Sequence, residues 1–293
     1  MTAVGPTVCA VVVTHNRRQL LSECLAAVAA QTRRPDHVLV VDNAGTDCSA
    51  EMVAREHPGA ELLRLERNEG GAGGFHEGMR SGHEGGWTWL WLMDDDTIPN
   101  ADALERLLEA PDLLEEGSEA PALLASKVVW TDGHIHPMNT PRLRTKDVDA
   151  LVRGMERGVV PLRLCTFPSL LVRRAAVDRY GLPHKEFFIW SDDIDFTARV
   201  LRHEPGYFVP ASVALHKTDG AAECWEGGDR FYYAVRNGLW LMRGGVLEPK
   251  EKPFQLVLVA RQTARYLAFE RYSRRALAIV ARGLSAGLGR APG

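Results

Sequence analysis

The chain has 293 residues, and 35 Lys+Arg against 38 Asp+Glu leave a formal net charge of −3, with 45% of residues apolar and 25% charged. That composition suits an ordinary globular protein and excludes a collagen-like or disordered chain. No apolar run reaches the roughly 18 residues of a membrane span, and the near-neutral balance argues against a nucleic-acid partner.

Met1–Val13 lacks the basic, apolar and small-residue order of a secretory signal, so a cytoplasmic location is the expectation. Val8–Val13 reads as a β-branched strand, Gln19–Ala30 as a helix with Leu20, Leu21, Cys24, Leu25 and Val28 at helical spacing, and His37–Val41 as a second strand. Ser49–Glu56 predicts a helix, Ala60–Glu66 a strand, Phe75–Gly82 a short helix, and Trp87–Met93 a buried strand. Ala101–Leu108 follows as a helix and Ala122–Val129 as a strand, whereas Thr131–Pro161 mixes charges, Pro and Gly without period. Phe167–Val172 returns to the core and Arg174–Tyr180 is helical. Ser191–Asp195 opens a helix running to about His203, and strand-like Gly206–Pro210 and Val213–Leu215 deliver His216. Arg230–Arg243 and Pro253–Arg282 close the chain as two helices. Five cysteines, Cys9, Cys24, Cys48, Cys165 and Cys224, are scattered without a CxxC pair, which suits reduced thiols with no chemical role.

Alternating strands and helices imply right-handed βαβ units and a mostly parallel sheet covered on both faces. Ligands of such sheets bind beyond the carboxyl ends of the strands. The residues there are Thr14-His15-Asn16-Arg17, Asp42-Asn43, Asn68 with a glycine cluster, and Asp94-Asp95-Asp96. Each set taken singly also reads as turn formers, but four in succession converge on one crevice.

Strand side chains alternate, so Asp94 and Asp96 can point the same way and form a pincer. Carboxylates suit Mg²⁺ or Mn²⁺, whose shells substrate phosphates and water usually complete, so a diphosphate is the implied partner. The cluster Gly70-Gly71-Ala72-Gly73-Gly74 lets backbone approach a ligand closely, and it matches neither a dinucleotide fingerprint nor a P-loop. Asp42-Asn43 can accept hydrogen bonds from a base edge or ribose hydroxyl. Ser191-Asp192-Asp193-Ile194-Asp195 is explicable as an N-capped acidic first turn, or as the source of a general base beside the apolar Phe187–Trp190 wall. His216 gains a role only where the fold sets it against Asp94 and Asp96. His134 and His136 are assigned to surface or acceptor contacts.

In this order the motifs resemble the family-2 glycosyltransferases of the GT-A fold. The resemblance is carried by Val11–Arg17, Val40–Asn43, Asn68–Phe75, Trp91–Asp96, Asp192–Asp195 and His216, over about residues 8–220. Gly-Gly-Ala-Gly-Gly-Phe followed by Asp-Asp-Asp looks most like bacterial galactofuranosyltransferases, while Tyr232–Asn237 resembles an aromatic-Arg-Asn element of rhamnosyltransferases. The resemblance implies an α/β GT-A, Rossmann-like catalytic domain over 1–225, in which residues 1–130 bind the nucleotide-sugar and residues 131–225 the acceptor, followed by a helical segment 226–293. It implies inverting, metal-dependent transfer of a sugar from a nucleotide-diphosphate donor to a glycan or lipid-linked acceptor, with UDP-galactofuranose as the leading donor and, as the alternative, a rhamnosyl or other dTDP/UDP-sugar transferase acting on a cell-surface glycan or secondary-metabolite acceptor.

The implied general base is Asp193. Donor contacts fall to Thr14, His15, Asn16, Arg17, Asp42 and Asn43, then to Asn68, Gly70, Gly71, Gly73, Gly74 and Phe75, then to Asp94 and Asp95. Mn²⁺ or Mg²⁺ is assigned to Asp94, Asp96 and His216, and the acceptor to Trp190 and Asp192, with the choice between Asp192 and Asp193 as base left open. The QxxRW element of processive synthases is missing, which points to one or a few sugars per encounter.

Between Phe254 and Gly293, seven arginines (Arg261, Arg265, Arg271, Arg274, Arg275, Arg282 and Arg290) stand against Glu270 among apolar residues. Such a segment suits either the anionic inner face of the plasma membrane or packing on the domain or on a second subunit in a homo-oligomer. Two other classes compete with the transferase. A sugar nucleotidyltransferase needs a basic glycine-rich loop after the first strand, and Thr14–Leu20 supplies Arg17 and Arg18 but no glycine. A non-catalytic carbohydrate-binding module would show no metal-dependent donor hydrolysis.

Overall fold

The computed structural model describes residues 5–218 and 228–292. Cys224, Asp219-Gly220 and the expected boundary at 225/226 lie outside these residues. The N-terminal half runs β1 (Val8–Thr14), α1 (Arg18–Ala29), β2 (His37–Asp42), α2 (Ser49–Glu56), β3 (Glu61–Arg64), α3 (Gly70–Glu84), β4 (Trp89–Asp94), β5 (Thr97–Pro99), α4 (Ala103–Glu109) and β6 (Leu123–Val129). There follow β7 (Arg142–Leu143), α5 (Val148–Glu156), β8 (Val160–Leu164), β9 (Leu170–Arg173), α6 (Arg174–Tyr180), α7 (Asp192–Val200), β10 (Gly206–His216), α8 (Phe231–Arg243), α9 (Glu251–Phe269) and α10 (Arg274–Leu288).

Among the described residues the strands order as β3-β2-β1-β4-β9-β6-β10-β8-β7, with β5 paired to β10. β1, β2, β3 and β4 run parallel, as do β6 and β10, while β9 lies antiparallel between β4 and β6. All seven residues of β1 are buried, as expected of a central strand covered on both faces. Its alternation feeds two cores. Cys9, Val11 and Val13 meet Phe75 and Met79 of α3, and Val8, Ala10 and Val12 meet Leu21 and Leu25 of α1 and Leu104 of α4. This is the GT-A-like α/β architecture expected from the sequence, with helices following the sheet.

Three elements differ from expectation. The glycine cluster is not a loop before a helix at Phe75, because α3 already begins at Gly70. Glycine inside a helix is unfavourable by about 1 kcal/mol against alanine, but here the missing side chains let the helix lie against β1. A Cβ on Gly74 would stand 2.4 Å from Val13 Cγ1, and one on Gly78 2.5 Å from Val11 Cγ1. The aperiodic stretch 131–161 contains β7 and α5, the latter capped by Asp147 accepting from Ala150 N. The last expected helix is two, because Arg271 and Tyr272 turn left-handed (φ 54° at each) and the Ser273 side chain starts α10 by accepting from Ala276 N. The second of these helices packs on α8, where Gly283 and Gly287 approach Val235 and Leu239 closely.

Candidate active site

β1 and β4 are adjacent and parallel, so Thr14–Arg17 and Asp94–Asp96 leave the sheet side by side. β10 brings the third component from far along the chain. His216 pairs antiparallel with Thr97 of β5, one residue past Asp96, and Lys217 N donates to the Asp96 carbonyl at 2.8 Å. One ligand atom each from Asp94, Asp96 and His216 lies within 4.8 Å of the others.

Asp95 ties the strand ends together. Its Oδ2 accepts from Thr14 Oγ1 at 2.8 Å and from His15 N at 3.4 Å, and Arg17 Nη1 reaches its Oδ1 at 3.4 Å. Thr14 therefore spends its proton on Asp95 and is itself only 2% exposed. Arg17 Nη1 also pairs with Asp96 Oδ2 at 2.6 Å, which sets a half-exposed guanidinium over the acidic cluster.

The remaining Asp96 oxygen is the informative one. Oδ1 lies 3.0 Å from His216 Nε2, yet it is sealed from solvent with no well-directed hydrogen bond. Asn139 donates from Nδ2 to Thr166 Oγ1 and presents Oδ1 to His216 Nδ1 at 2.7 Å, which assigns the proton of a neutral imidazole to Nδ1 and turns the Nε2 lone pair toward Asp96. Two lone-pair atoms at 3.0 Å need a proton or a cation between them. Burial opposes the His216 charge, but contact with Asp96 and the charges of Asp96 and Asp94 outweigh it and raise its pKa. Burial, then Asp96, raise Asp94 to about 7, while for Asp96 itself burial is outweighed by His216 and Arg17 and its pKa falls. Two carboxylates and one imidazole oriented by a second hydrogen bond fit a divalent ion such as Mn²⁺ or Mg²⁺.

Asn139 was not foreseen, and nothing in its aperiodic surroundings signals it. His136 is also a correction. It is fully buried rather than at the surface, its ring 5.0 Å from that of His216, accepting from Met138 N and bonded to Thr218 Oγ1. Burial, then the His216 charge, lower it to about 4, so it stays neutral behind the cluster. His134 is exposed as expected.

On the other side of β1, Asp42 is 1% exposed, and its Oδ1 accepts from Gly45 N at 2.7 Å. Among the described residues its Oδ2 has no hydrogen bond and lies 3.4 Å from Arg64 Nε. Asn16 Oδ1 accepts from Thr46 N, closing the same rim. His15 Nδ1 bonds to the Asn43 carbonyl, and the Asn43 side chain donates to Gly70 O and accepts from Glu69 N, both at 2.8 Å. Asn68 Oδ1 accepts from Gly70 N at 2.8 Å. Gly71 has open space where its side chain would be, whereas a Cβ on Gly73 would strike Glu69. The Phe75 ring is buried against Phe167, and Gly74 packs on β1.

At the head of α7 the backbone is left-handed at Phe188 (φ 63°), Trp190 (φ 62°) and Ser191 (φ 72°) before turning into Asp192 and Asp193. Asp193 Oδ1 accepts from Ile194 N at 2.7 Å and the side chain keeps partial exposure. Burial lifts it to about 6 against the backbone N–H groups that favour its charge. Asp192 is 5% exposed, and burial, then Asp193, hold it well above the ordinary range, with the charge of Asp94 adding to the rise.

Comparison with known proteins bears on the family and the fold. The family model described as "Glycosyl transferase family 2" matches residues 9–181. Galactofuranosyltransferase GlfT1 of Mycolicibacterium smegmatis is 34% identical over 208 residues, covering 67% of this chain and 65% of its own. This chain thus spans just under two thirds of that relative. An N-acetylglucosaminyl-diphospho-decaprenol L-rhamnosyltransferase of Mycobacterium tuberculosis is 25% identical over 247 residues, covering 74% of this chain and 76% of its own. Among solved structures, the mannosyltransferase PcManGT from Pyrobaculum calidifontis in complex with GDP-Man and Mn2+ superposes with a TM-score of 0.57 at 18% identity, over 98% of this chain and 82% of that one.

Proposed function

This chain belongs to glycosyl transferase family 2, and we propose that it moves a sugar, galactofuranose from UDP-galactofuranose in the first instance, onto a hydroxyl of a glycan or lipid-linked acceptor with inversion. The observation that carries the reading is the meeting of Asp94, Asp96 and His216 at the strand ends. These three residues would hold Mn²⁺ or Mg²⁺, which when bound supplies positive charge against a leaving diphosphate. The chain's own groups do the rest. Asp42 Oδ2, a buried acceptor without a hydrogen bond, receives the base or ribose. Arg17 faces the phosphates, and Asn16, His15, Asn43 and Asn68 shape the rim with Gly70, Gly71 and Gly73. Asp193 accepts the acceptor's proton as that oxygen bonds to the anomeric carbon from the face opposite the diphosphate. The carbon–oxygen bond to phosphate breaks, and the diphosphate leaves with the electron pair.

Asp193 suits this task better than Asp192. A base needs to be ionised and reachable, and Asp193 is partly exposed with a pKa about 6, whereas Asp192 is buried and its pKa is raised well above the ordinary range. Asp192 and Trp190 then border the acceptor, within a catalytic unit over 1–225 whose residues 1–130 serve the donor and residues 131–225 the acceptor. A rhamnosyl donor is the second reading, favoured by the rhamnosyltransferase relative matching 74% of this chain.

No helix among the described residues is long and apolar enough to cross a membrane. α9 and α10 nevertheless expose Phe254, Val257, Phe269, Leu277, Leu284 and Leu288 among the arginines of 226–293. We assign this face to an anionic lipid surface near the lipid-linked acceptor, with a second copy of the chain as the competing occupant. Incubation of the purified chain and Mn²⁺ with UDP-galactofuranose, dTDP-rhamnose and a lipid-linked acceptor tests the function. UDP release with an inverted anomeric centre in the product is expected. Turnover of neither donor, or retained configuration, contradicts it.

A further inference from the structure

Asn237 of α8 is fully buried, and its side-chain amide faces three backbone carbonyls of the segment that leads into α7: Phe187 O at 3.0 Å, Ile189 O at 2.8 Å and Trp190 O at 2.9 Å. Arg236 Nε donates to Asn237 Oδ1 at 2.9 Å, which settles which way the amide points. The same guanidinium donates through Nη2 to Glu186 O at 2.7 Å and Phe187 O at 2.9 Å, and lies over the Trp240 ring at 4.1 Å. From the opposite side, Ala72 N donates to Phe188 O at 3.1 Å, and Gly70 leaves room for that carbonyl, which would stand 1.9 Å from a Cβ there.

This segment does not hold its own shape. Phe188, Trp190 and Ser191 all have positive φ without being glycine, a conformation that persists only where surroundings impose it. Ser191 offers α7 no side-chain cap, so the placement of Asp192 and Asp193 depends on the backbone that enters it. The amide has two protons for three carbonyls, and no other residue type of this size both donates twice and accepts from Arg236. A helix far along the chain thus holds the carbonyls of Phe187, Ile189 and Trp190 ahead of the acidic turn.

We infer that Asn237, backed by Arg236, is a positioning residue that sets the Trp190–Asp193 backbone for proton transfer. The inference rests on the proposed role of Asp193, and it adds a requirement on α8 that this role alone does not contain.

The test compares Asn237→Ala, Asn237→Asp and Arg236→Lys with the unaltered chain. Asn237→Ala is expected to lower kcat by about 10- to 100-fold, to shift the acidic limb of the kcat–pH profile, and to leave the Kd for UDP with Mn²⁺ within about twofold. Hydrogen exchange should quicken in peptides covering 187–195 and stay unchanged in those covering β1 and β4. Asn237→Asp, which turns a carboxylate toward three carbonyls, should lose at least as much. Arg236→Lys, which loses the fork, should move the same readouts less, and it serves where the Asn237 variants do not fold. An unchanged kcat and pH profile in a folded Asn237→Ala chain overturns the inference. So does UDP affinity falling in step with kcat, or exchange quickening throughout the molecule. If Asp193→Asn is inactive while Asn237→Ala is not, the positioning role alone fails; if Asp193→Asn retains full turnover, the role of Asp193 fails first.

Discussion

Replacing Asp193 with asparagine separates catalysis from stability, because the two should move in opposite directions. The carboxylate titrates at about 6 in the folded chain against an ordinary 3.8, chiefly because burial disfavours its charge. A raised acid pKa means that the native state binds the proton more tightly than the unfolded chain does. The resulting stability is present below 3.8, is lost as pH rises, and is fully lost above about 6. Two pKa units correspond to about 3 kcal/mol as an upper bound, and partial exposure screens this to roughly half. Asparagine keeps the acceptor for Ile194 N and removes the charge, so at pH 8 the variant should be more stable, by roughly 3–6 °C in Tm for a chain of this size. The gain should vanish toward pH 4. Turnover should fall by about 10²- to 10⁴-fold, the usual range for a lost general base. Differential scanning calorimetry at several pH values and a UDP-release assay measure both. A variant no more stable at pH 8, or one that turns over within tenfold of the parent, refutes the reasoning.

The two ends of the glycine cluster should respond differently to alanine. Gly74→Ala places a Cβ 2.4 Å from Val13 Cγ1 and should destabilise by about 1–3 kcal/mol, visible as a lower urea midpoint. Gly71→Ala enters open space, so its midpoint should hold while the donor KM rises. For the parent enzyme, kcat should fall as pH drops through about 6, following protonation of Asp193, with a profile that Asp193→Asn lacks. Sedimentation with vesicles rich in anionic lipid should capture the chain at low salt and release it at 0.5 M NaCl (roughly a 4–5 Å screening length), and Arg274→Glu with Arg275→Glu should abolish capture. Salt-insensitive self-association without vesicle binding would instead favour a second copy on that face.

The strand ends were legible because β1, β2 and β4 are short, buried apolar runs that stop at polar residues, and parallel topology brings such stops to one edge. Asp94, Asp96 and His216 could be nominated from their types, but their convergence depends on β10 pairing back on β5, which no local pattern encodes. The glycine cluster misled because a run so rich in glycine has poor helix propensity, and only the close approach to Val13 and Val11 explains the helix there. The break between α9 and α10 carries no glycine or proline, since Arg271 and Tyr272 make the turn themselves. Asn139 was invisible for another reason: it bonds to Thr166 and His216, 27 and 77 positions away, and an isolated asparagine has no period to reveal it. Asn237 stood inside the Tyr232–Asn237 element, but its contact with the carbonyls before α7, 47 to 50 positions away, has no local signal.

The most direct measurement is a titration of Mn²⁺ in the presence of UDP, followed by loss of the free-ion EPR signal. One Mn²⁺ per chain should bind, Asn139→Ala should weaken it by roughly 10- to 100-fold through loss of the His216 orientation, and His216→Ala should weaken it further. Mn²⁺ bound with equal affinity by the parent chain and His216→Ala would contradict the account.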